Sequence, residues 1–212
     1  MKILLAGYGK FPGMEDNHSA RIVRDVVTQG ELLNEVMRII EIPNVFRECP
    51  VVLSQAIYDS DPDAVILVGV KFGASSIHLE KVALNVLNSN IPDCTGEKAS
   101  HLTIIEGERE AYFSAIPLQP LLKELEQASI AAKISYYADT YICNQAYYIA
   151  CDMMTKRRGR PAALLVHIPR LPEQVTLTQK GSTLAYDISL KAITIILKTI
   201  LPLSESHKSL KS

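Results

Sequence analysis

Short unbroken apolar runs alternate along the chain with segments whose apolar residues recur every three or four positions. Residues 2–8 form the first such run, closed by glycine, and read as a buried strand. A loop with Gly9, Pro12 and Gly13 follows. From Ser19, the residues Ile22, Val23, Val26 and Val27 then fall at helical spacing, and Gly30 marks the end of that helix. Residues 51–58 suggest a second helix. Asp61, Pro62 and Asp63 make a turn into residues 64–70, the clearest buried strand of the chain. Further on, residues 121–127 read as helix and 131–135 as strand. Residues 143–154 read as a helix with Tyr147, Ala150, Met153 and Met154 along one side, 162–168 as a strand, and 184–200 as a last helix. The long middle section receives no regular elements from its pattern, although Ile77 and residues 82–84 have a buried character.

This alternation predicts α/β layers: a twisted, mostly parallel sheet with helices on both faces. No internal repeat or low-complexity segment divides it, so one domain is expected over residues 1–203. Residues 178–182 read as a surface loop or hairpin, and the Ser- and Lys-rich tail 204–212 is expected to be flexible.

Composition adds limits. With 212 residues, 48% of them hydrophobic and 21% charged, the chain suits one full core and is too apolar for disorder. A formal net charge of -1 supplies no general attraction to nucleic acid or to an anionic membrane. The run Lys156, Arg157, Arg158, Gly159 and Arg160 is the local exception. It reads as a solvated helix end, where cations complement the dipole. The cysteines Cys49, Cys94, Cys143 and Cys151 show neither CxxC spacing nor a dense disulfide pattern. The opening apolar run is too short for a signal peptide, and no stretch approaches the roughly 18 apolar residues of a spanning helix. A reducing, cytoplasmic setting with free thiols is the expectation.

Four places carry candidate chemistry. Gly7, Gly9 and Gly13 after the first strand suggest a dinucleotide loop, but the spacing is GxGxxxG, Pro12 interrupts it, and the helix begins too late to hold a pyrophosphate. His78 and Glu80 have the HxE order of zinc deaminases without the PCxxC that completes such a site, so no metal is expected. Taken alone, Glu80 reads as an exposed carboxylate at the start of a helix. Cys143 lies between a strand and a helix. There the dipole and free backbone N–H groups stabilise a thiolate and offer donors to an oxyanion, although taken alone a buried, inert thiol is the better reading. His167 ends an apolar strand just before Pro169, at the strand end where α/β proteins place their chemistry, although a structural histidine fits there too. A lone Cys at a strand-to-helix turn with a His at a strand end is the pair a cysteine hydrolase needs.

Taken in order, these segments resemble the pyroglutamyl peptidase I family of cysteine peptidases. The stretch from Ser135 to Asn144 (SYYADTYICN) is similar to the family's nucleophile segment. His167 to Gln174 (HIPRLPEQ) is similar to its histidine segment, and Ile77 to Asn85 (IHLEKVALN) to its glutamate segment. Residues 91–93 and 111–117 also match. The resemblance runs from residue 3 to about residue 175. It implies a catalytic triad of Cys143, His167 and Glu80 acting through a thioester, with no cofactor. It implies a small apolar pocket for the lactam ring, falling to Tyr8, Phe11, Asn44, Ile91, Tyr141 and Ile142, with Asn17 as a further match in the first loop. N-terminally pyroglutamylated peptides are the implied substrates, and a homo-oligomer, often a tetramer, the implied assembly; neither nucleic acid nor membrane is an implied partner.

The chain departs from the family pattern in its first loop, which reads GYGKFP (residues 7–12) and then Asn17, His18 and Ser19 in place of roughly G-F-x-P-F-G-x-x-x-N-P-S, and at three further places. A glutamine that would contact the lactam is Val70, an arginine near the reacting groups is Ala74, and the glycine before Thr140 is Asp139. Loss of a polar partner weakens substrate discrimination, and a carboxylate near a thiol raises its pKa. Hydrolysis of another small cyclic or apolar acyl amide or ester, and a non-catalytic binding role for the same fold, are therefore alternatives.

Overall fold

The computed structural model describes residues 1–14, 16–28, 36–175 and 182–203. Gly30, residues 178–181 and the 204–212 tail, each given a role by the sequence pattern, lie outside the described residues. In chain order the elements are β1 (Ile3–Tyr8), α1 (His18–Thr28), β2 (Val36–Ile42), α2 (Glu48–Ser60) and β3 (Ala64–Val70). The middle section supplies five short strands: β4 (Ile77–Glu80), β5 (Val82–Leu84), β6 (Leu87–Ser89), β7 (Ala99–Leu102) and β8 (Ala111–Phe113). The chain closes with α3 (Leu118–Gln127), β9 (Ala132–Ser135), α4 (Ile142–Arg158), β10 (Ala163–Ile168), a short 3₁₀ turn at Pro172–Gln174, and α5 (Tyr186–Leu203).

The central sheet has strand order β2-β1-β3-β10-β4-β9. Every pairing is parallel except β10 with β4. This is the mostly parallel α/β sheet that the alternation predicts. Its inner strands are apolar on both faces because helices cover both. On one face Ile3, Leu5, Ile66, Val68, Leu164 and Val166 pack beneath α1, α3 and α5, with Ile22, Leu121 and Ile193 among their partners. On the other, Leu4, Ala6, Val65, Leu67 and Leu165 pack beneath α2 and α4, against Leu53, Ile57, Ala146 and Ala150. Each fully buried Leu or Ile contributes roughly 1.5–3 kcal/mol.

Helix α4 carries Cys143 in its first turn. It starts after Tyr141, which is extended at the N-cap, and stops at Gly159, whose φ of 70° no β-carbon opposes. The basic run sits in its last turn, engaged in ion pairs. Arg157 and Arg158 reach Asp61 at 2.6 and 3.0 Å, and Lys156 reaches Glu108 and Asp152 at 2.7 and 2.9 Å.

Two strand regions lie outside the sequence pattern. In β2 the charged Arg38 and Glu41 break the apolar run, and β4 to β8 are only three or four residues long, too short to show a period. One reading of secondary structure is overturned, that of Glu80. It does not open a helix at the surface but ends strand β4, with 0% exposure.

Candidate active site

The two-residue period of a strand decides which side chains can meet here. On β1 the face covered by α4 carries Leu4, Ala6 and Tyr8; on β3 it carries Val65, Leu67 and, by alternation, Gly69; on β10 it carries Ala163, Leu165 and His167. Register pairs His167 with Gly69 on one side and with His78 on the other. On β4 the residues Ile77 and Leu79 face the opposite core, which turns His78 and Glu80 toward α4. Tyr8, Gly69, His167, His78 and Glu80 thus share one sheet face at the carboxyl ends of β1, β3 and β10.

Glycine at position 69 clears the room. A β-carbon built there would stand 3.0 Å from Cys143 Sγ, 3.3 Å from His167 Cδ2 and 3.4 Å from Tyr8 Cε2. The thiol, the imidazole edge and the hydroxyl-bearing edge of the phenol therefore converge on the space that a larger residue would fill.

Glu80 holds His167. Its Oε1 lies 2.8 Å from His167 Nδ1, with both side chains buried. His78 Nδ1 stands 3.7 Å and Lys71 Nζ 3.9 Å from the same oxygen. Burial opposes the carboxylate's charge, but the hydrogen bond from His167, the nearby His78 ring and the His167 charge outweigh it, leaving the pKa at about 2. An ionised Glu80 accepts, so Nδ1 carries the proton and Nε2 presents a lone pair. Burial also lowers the His167 pKa, with Glu80 working against that shift.

Cys143 is the second residue of α4. Tyr141 accepts the first helical bond, from Gln145 N–H at 3.0 Å, and no side chain caps the end. The N–H groups of residues 142–144 precede that bond and face outward from the helix start. Asn144 fixes this turn in place. Its Oδ1 accepts from Leu84 N–H, and its Nδ2 donates to the carbonyls of Leu84 and Val86, all at 2.9 Å. Burial pushes the Cys143 thiol up to about 12, with Tyr8 and Lys71 pulling down and Asp139 and Glu80 pushing further up. Asp139 is the carboxylate the sequence placed near the thiol. It adopts a φ of 62°, the left-handed region natural to the glycine it replaces in the family pattern, and pairs with Lys71 Nζ at 2.9 Å. Lys71 also donates to the Tyr137 carbonyl at 3.1 Å, so one ammonium ties the loop before α4 to the Glu80–His167 pair.

A cleft of about 360 Å³ opens over Cys143 and His167. Tyr8, Phe11, Asn17, Asn44, Val70, Ile91 and Tyr141, all named from the sequence, line it. Ile142 does not. As the first residue of α4 it turns inward with Ala146 and Ile149 and is fully buried in the core. Phe11 stands edge-on to both Phe72 and Tyr141, with ring centroids 5.2 and 5.7 Å apart, giving the cleft an aromatic wall. The two amides are committed to the loop. Asn17 Nδ2 donates to the Gly9 carbonyl at 2.9 Å, and Asn44 Nδ2 to those of Gly9 and Lys10 at 2.7 Å each. Among the described residues, no three His, Cys, Asp or Glu side chains group as a metal site, and no helix is long and apolar enough to cross a membrane.

Comparison with known proteins now decides the family. The family model described as pyroglutamyl peptidase matches residues 1–202. The chain belongs to the pyroglutamyl peptidase family. It is 34% identical over 204 residues to the pyrrolidone-carboxylate peptidase of Thermococcus onnurineus, covering 95% of this chain and 99% of that one. It is 32% identical over 194 residues to that of Bacillus velezensis, covering 92% and 89%. Among solved structures, a variant pyrrolidone carboxyl peptidase of Pyrococcus furiosus superposes with a TM-score of 0.87 at 29% identity, over 95% of this chain and 99% of that one. The pyroglutamyl peptidase I of Bacillus amyloliquefaciens does so with 0.85 at 30%, over 94% and 96%. These matches make the protein a cysteine peptidase of this family.

Within that family pattern the substituted positions take definite places. Ala74, where the pattern has arginine, is buried and does not line the cleft, while the cation beside Glu80 is Lys71. Val70 lines the cleft directly. The sequence missed Met14, Phe72, Asn88, Ser89, Asn90 and Tyr137 as lining residues. The available signal was an aromatic residue one or two positions before Gly73 and Asp139, Phe72 and Tyr137, in segments without strand or helix periodicity.

Proposed function

We propose that the protein hydrolyses the amide bond that follows an N-terminal pyroglutamyl residue, through Cys143, His167 and Glu80 and a thioester intermediate. The observation that carries this reading is the convergence of Cys143 Sγ and the His167 ring on the Gly69 gap, with Glu80 bound to the far side of the ring at 2.8 Å.

The acyl group enters the aromatic cleft, and Cys143 Sγ attacks the pyroglutamyl carbonyl carbon. Burial favours the neutral thiol and the neutral imidazole in the free site, so the thiol proton moves to His167 Nε2 as the sulfur attacks. Glu80 stabilises the imidazolium that results. The carbonyl oxygen, now negative, meets the free N–H groups of the first turn of α4. His167 then gives its proton to the leaving amine, the C–N bond breaks, and the pyroglutamyl thioester remains on Cys143. Water attacks the thioester with His167 as base, and pyroglutamate leaves as the thiol reforms.

A second reading is hydrolysis of another small cyclic or apolar acyl amide or ester by the same groups. Val70 favours it, because a methyl-lined wall replaces an amide where the lactam's polar edge would seek a partner. Turnover of a fluorogenic pyroglutamyl amide under reducing conditions, compared with the cyclopentanecarbonyl amide, separates the two. Pyroglutamyl turnover that vanishes in Cys143→Ser supports the first reading. Preference for the carbocycle, or pyroglutamyl turnover that survives Cys143→Ser, removes it.

A further inference from the structure

Tyr8 stands at the end of β1 with 1% exposure, yet among the described residues its hydroxyl has no hydrogen-bond partner. An unpaired buried hydroxyl is a cost the fold could avoid with phenylalanine at no change in shape. The Tyr8 backbone is held firmly. Tyr8 N–H donates to Ser19 Oγ at 3.0 Å, and the neighbouring Gly7 packs so closely on α1 that a β-carbon there would lie 2.6 Å from Ala20 Cα. The hydroxyl-bearing edge of the ring faces the Gly69 gap, where Cys143 Sγ sits. A donor buried without an acceptor, next to an atom that becomes an acceptor only when it loses its proton, has a role that begins with the reaction.

We propose that Tyr8 is a further catalytic residue of this site: its phenol donates a hydrogen bond to the sulfur of Cys143 as the thiolate forms. This rests on the proposed role of Cys143 as nucleophile. The proton balance is simple. The thiol proton passes to His167 Nε2, the sulfur keeps the bonding pair, and Tyr8 retains its own proton while sharing it with the sulfur. When the thioester forms, sulfur loses its charge and the bond to Tyr8 weakens; hydrolysis restores the starting state.

The charged and titratable neighbours leave this task to Tyr8. Around the sulfur stand His167 from β10, Glu80 from β4, Lys71 from the segment after β3, Asp139 and Tyr141 from the approach to α4, and Cys49 from α2. Glu80 and Asp139 oppose a thiolate, and Lys71 is shared between those two carboxylates. Tyr141 is occupied, donating to the Pro92 carbonyl at 3.1 Å. Of the groups that pull the thiol back toward ionisation, the Tyr8 phenol acts most strongly.

The test is Tyr8→Phe, which keeps the ring that walls the cleft. Iodoacetamide alkylation of Cys143 is followed by mass spectrometry from pH 6 to 10, beside wild type and His167→Ala, with thermal unfolding recorded for each. Tyr8→Phe is expected to alkylate roughly tenfold more slowly at neutral pH, with its rate profile displaced upward, and to melt no lower than wild type. Alkylation at the wild-type rate and profile would overturn the proposal. So would a normal alkylation profile combined with lost hydrolysis, which would move the phenol's partner from the sulfur to the substrate. If His167→Ala alkylates like wild type, it is the Cys143–His167 reading that fails, a result that Tyr8→Phe alone does not give.

Discussion

Replacing Glu80 by Gln isolates the charge behind His167. Gln is nearly isosteric and still offers an oxygen to His167 Nδ1, so the 2.8 Å contact can persist while the negative charge is lost. Glu80 is fully buried, and its charge lies roughly 4 Å from the centre of the imidazolium that forms during attack. At an effective dielectric of about 20, a unit pair at that distance is worth about 4 kcal/mol. That amounts to roughly a thousandfold in rate. Because the imidazolium exists only on the way through the reaction, the loss should appear in kcat and in kcat/KM alike, with KM little changed. The sign of the accompanying pH effect is also fixed. Glu80 raises the His167 pKa against the lowering effect of burial, so without it the pKa falls further and the acid limb of kcat/KM moves to lower pH. Steady-state hydrolysis of the fluorogenic amide from pH 4 to 9, with thermal unfolding to show that the variant is folded, measures both. Activity within tenfold of wild type, a loss expressed in KM, or an acid limb displaced upward would refute the electrostatic role given to Glu80.

Three further outcomes are expected. Gly69→Ala puts a methyl group 3.0 Å from Cys143 Sγ and 3.3 Å from His167 Cδ2, so kcat should fall at least about a hundredfold for a stability loss of about 1–3 kcal/mol; near-normal turnover would contradict the convergence at Gly69. Lys71→Met removes a cation that lowers the pKa of both Cys143 and His167, so the whole pH–rate profile should move upward, and an unmoved profile would leave Lys71 with only its link to Asp139. His18 is buried with Nε2 3.1 Å from the Pro169 carbonyl, and burial lowers its pKa from 6.5 to about 4. The unfolded chain therefore takes up that proton first, and stability falls as the pH drops through this window. By denaturant titration His18→Gln should reduce the fall by an amount on the order of 2–3 kcal/mol, and equal slopes would refute it.

The parts of the fold legible in the sequence were those with long periods. β1, β3 and β10 are unbroken apolar runs, α1 and α3 repeat an apolar face, and α4 is apolar over much of its length, so an alternating, mostly parallel α/β sheet follows from the pattern. The strands β4 to β8 carry three or four residues each, too few for alternation to be distinguished from chance. Glu80 shows what that costs. Within Ile77–Glu80 its carboxylate occupies an inward position, but a carboxylate inside a core makes sense only beside His78 of the same strand and the His167 and Lys71 groups, which come from two other places in the chain. Ile142 failed for the opposite reason. Adjacent to Cys143 in sequence, it lies about 100° around the helix and faces the core. The Lys71–Asp139 pair joins residues 68 apart, and no local pattern indicates it. Motif order singled out Cys143, His167 and Glu80 for the triad proposed above, while the unpaired phenol of Tyr8 becomes visible only once its surroundings are known.

The central claim is that the pyroglutamyl group passes through a thioester on Cys143. Rapid mixing with a pyroglutamyl aryl ester, acid quenching within the first turnover and peptide mapping by mass spectrometry test it directly. The account expects one pyroglutamyl adduct, on the peptide holding Cys143, that forms with the burst of released phenol and disappears on neutral incubation. Rapid turnover with no adduct, or an adduct carried by Cys49, Cys94 or Cys151, would contradict it.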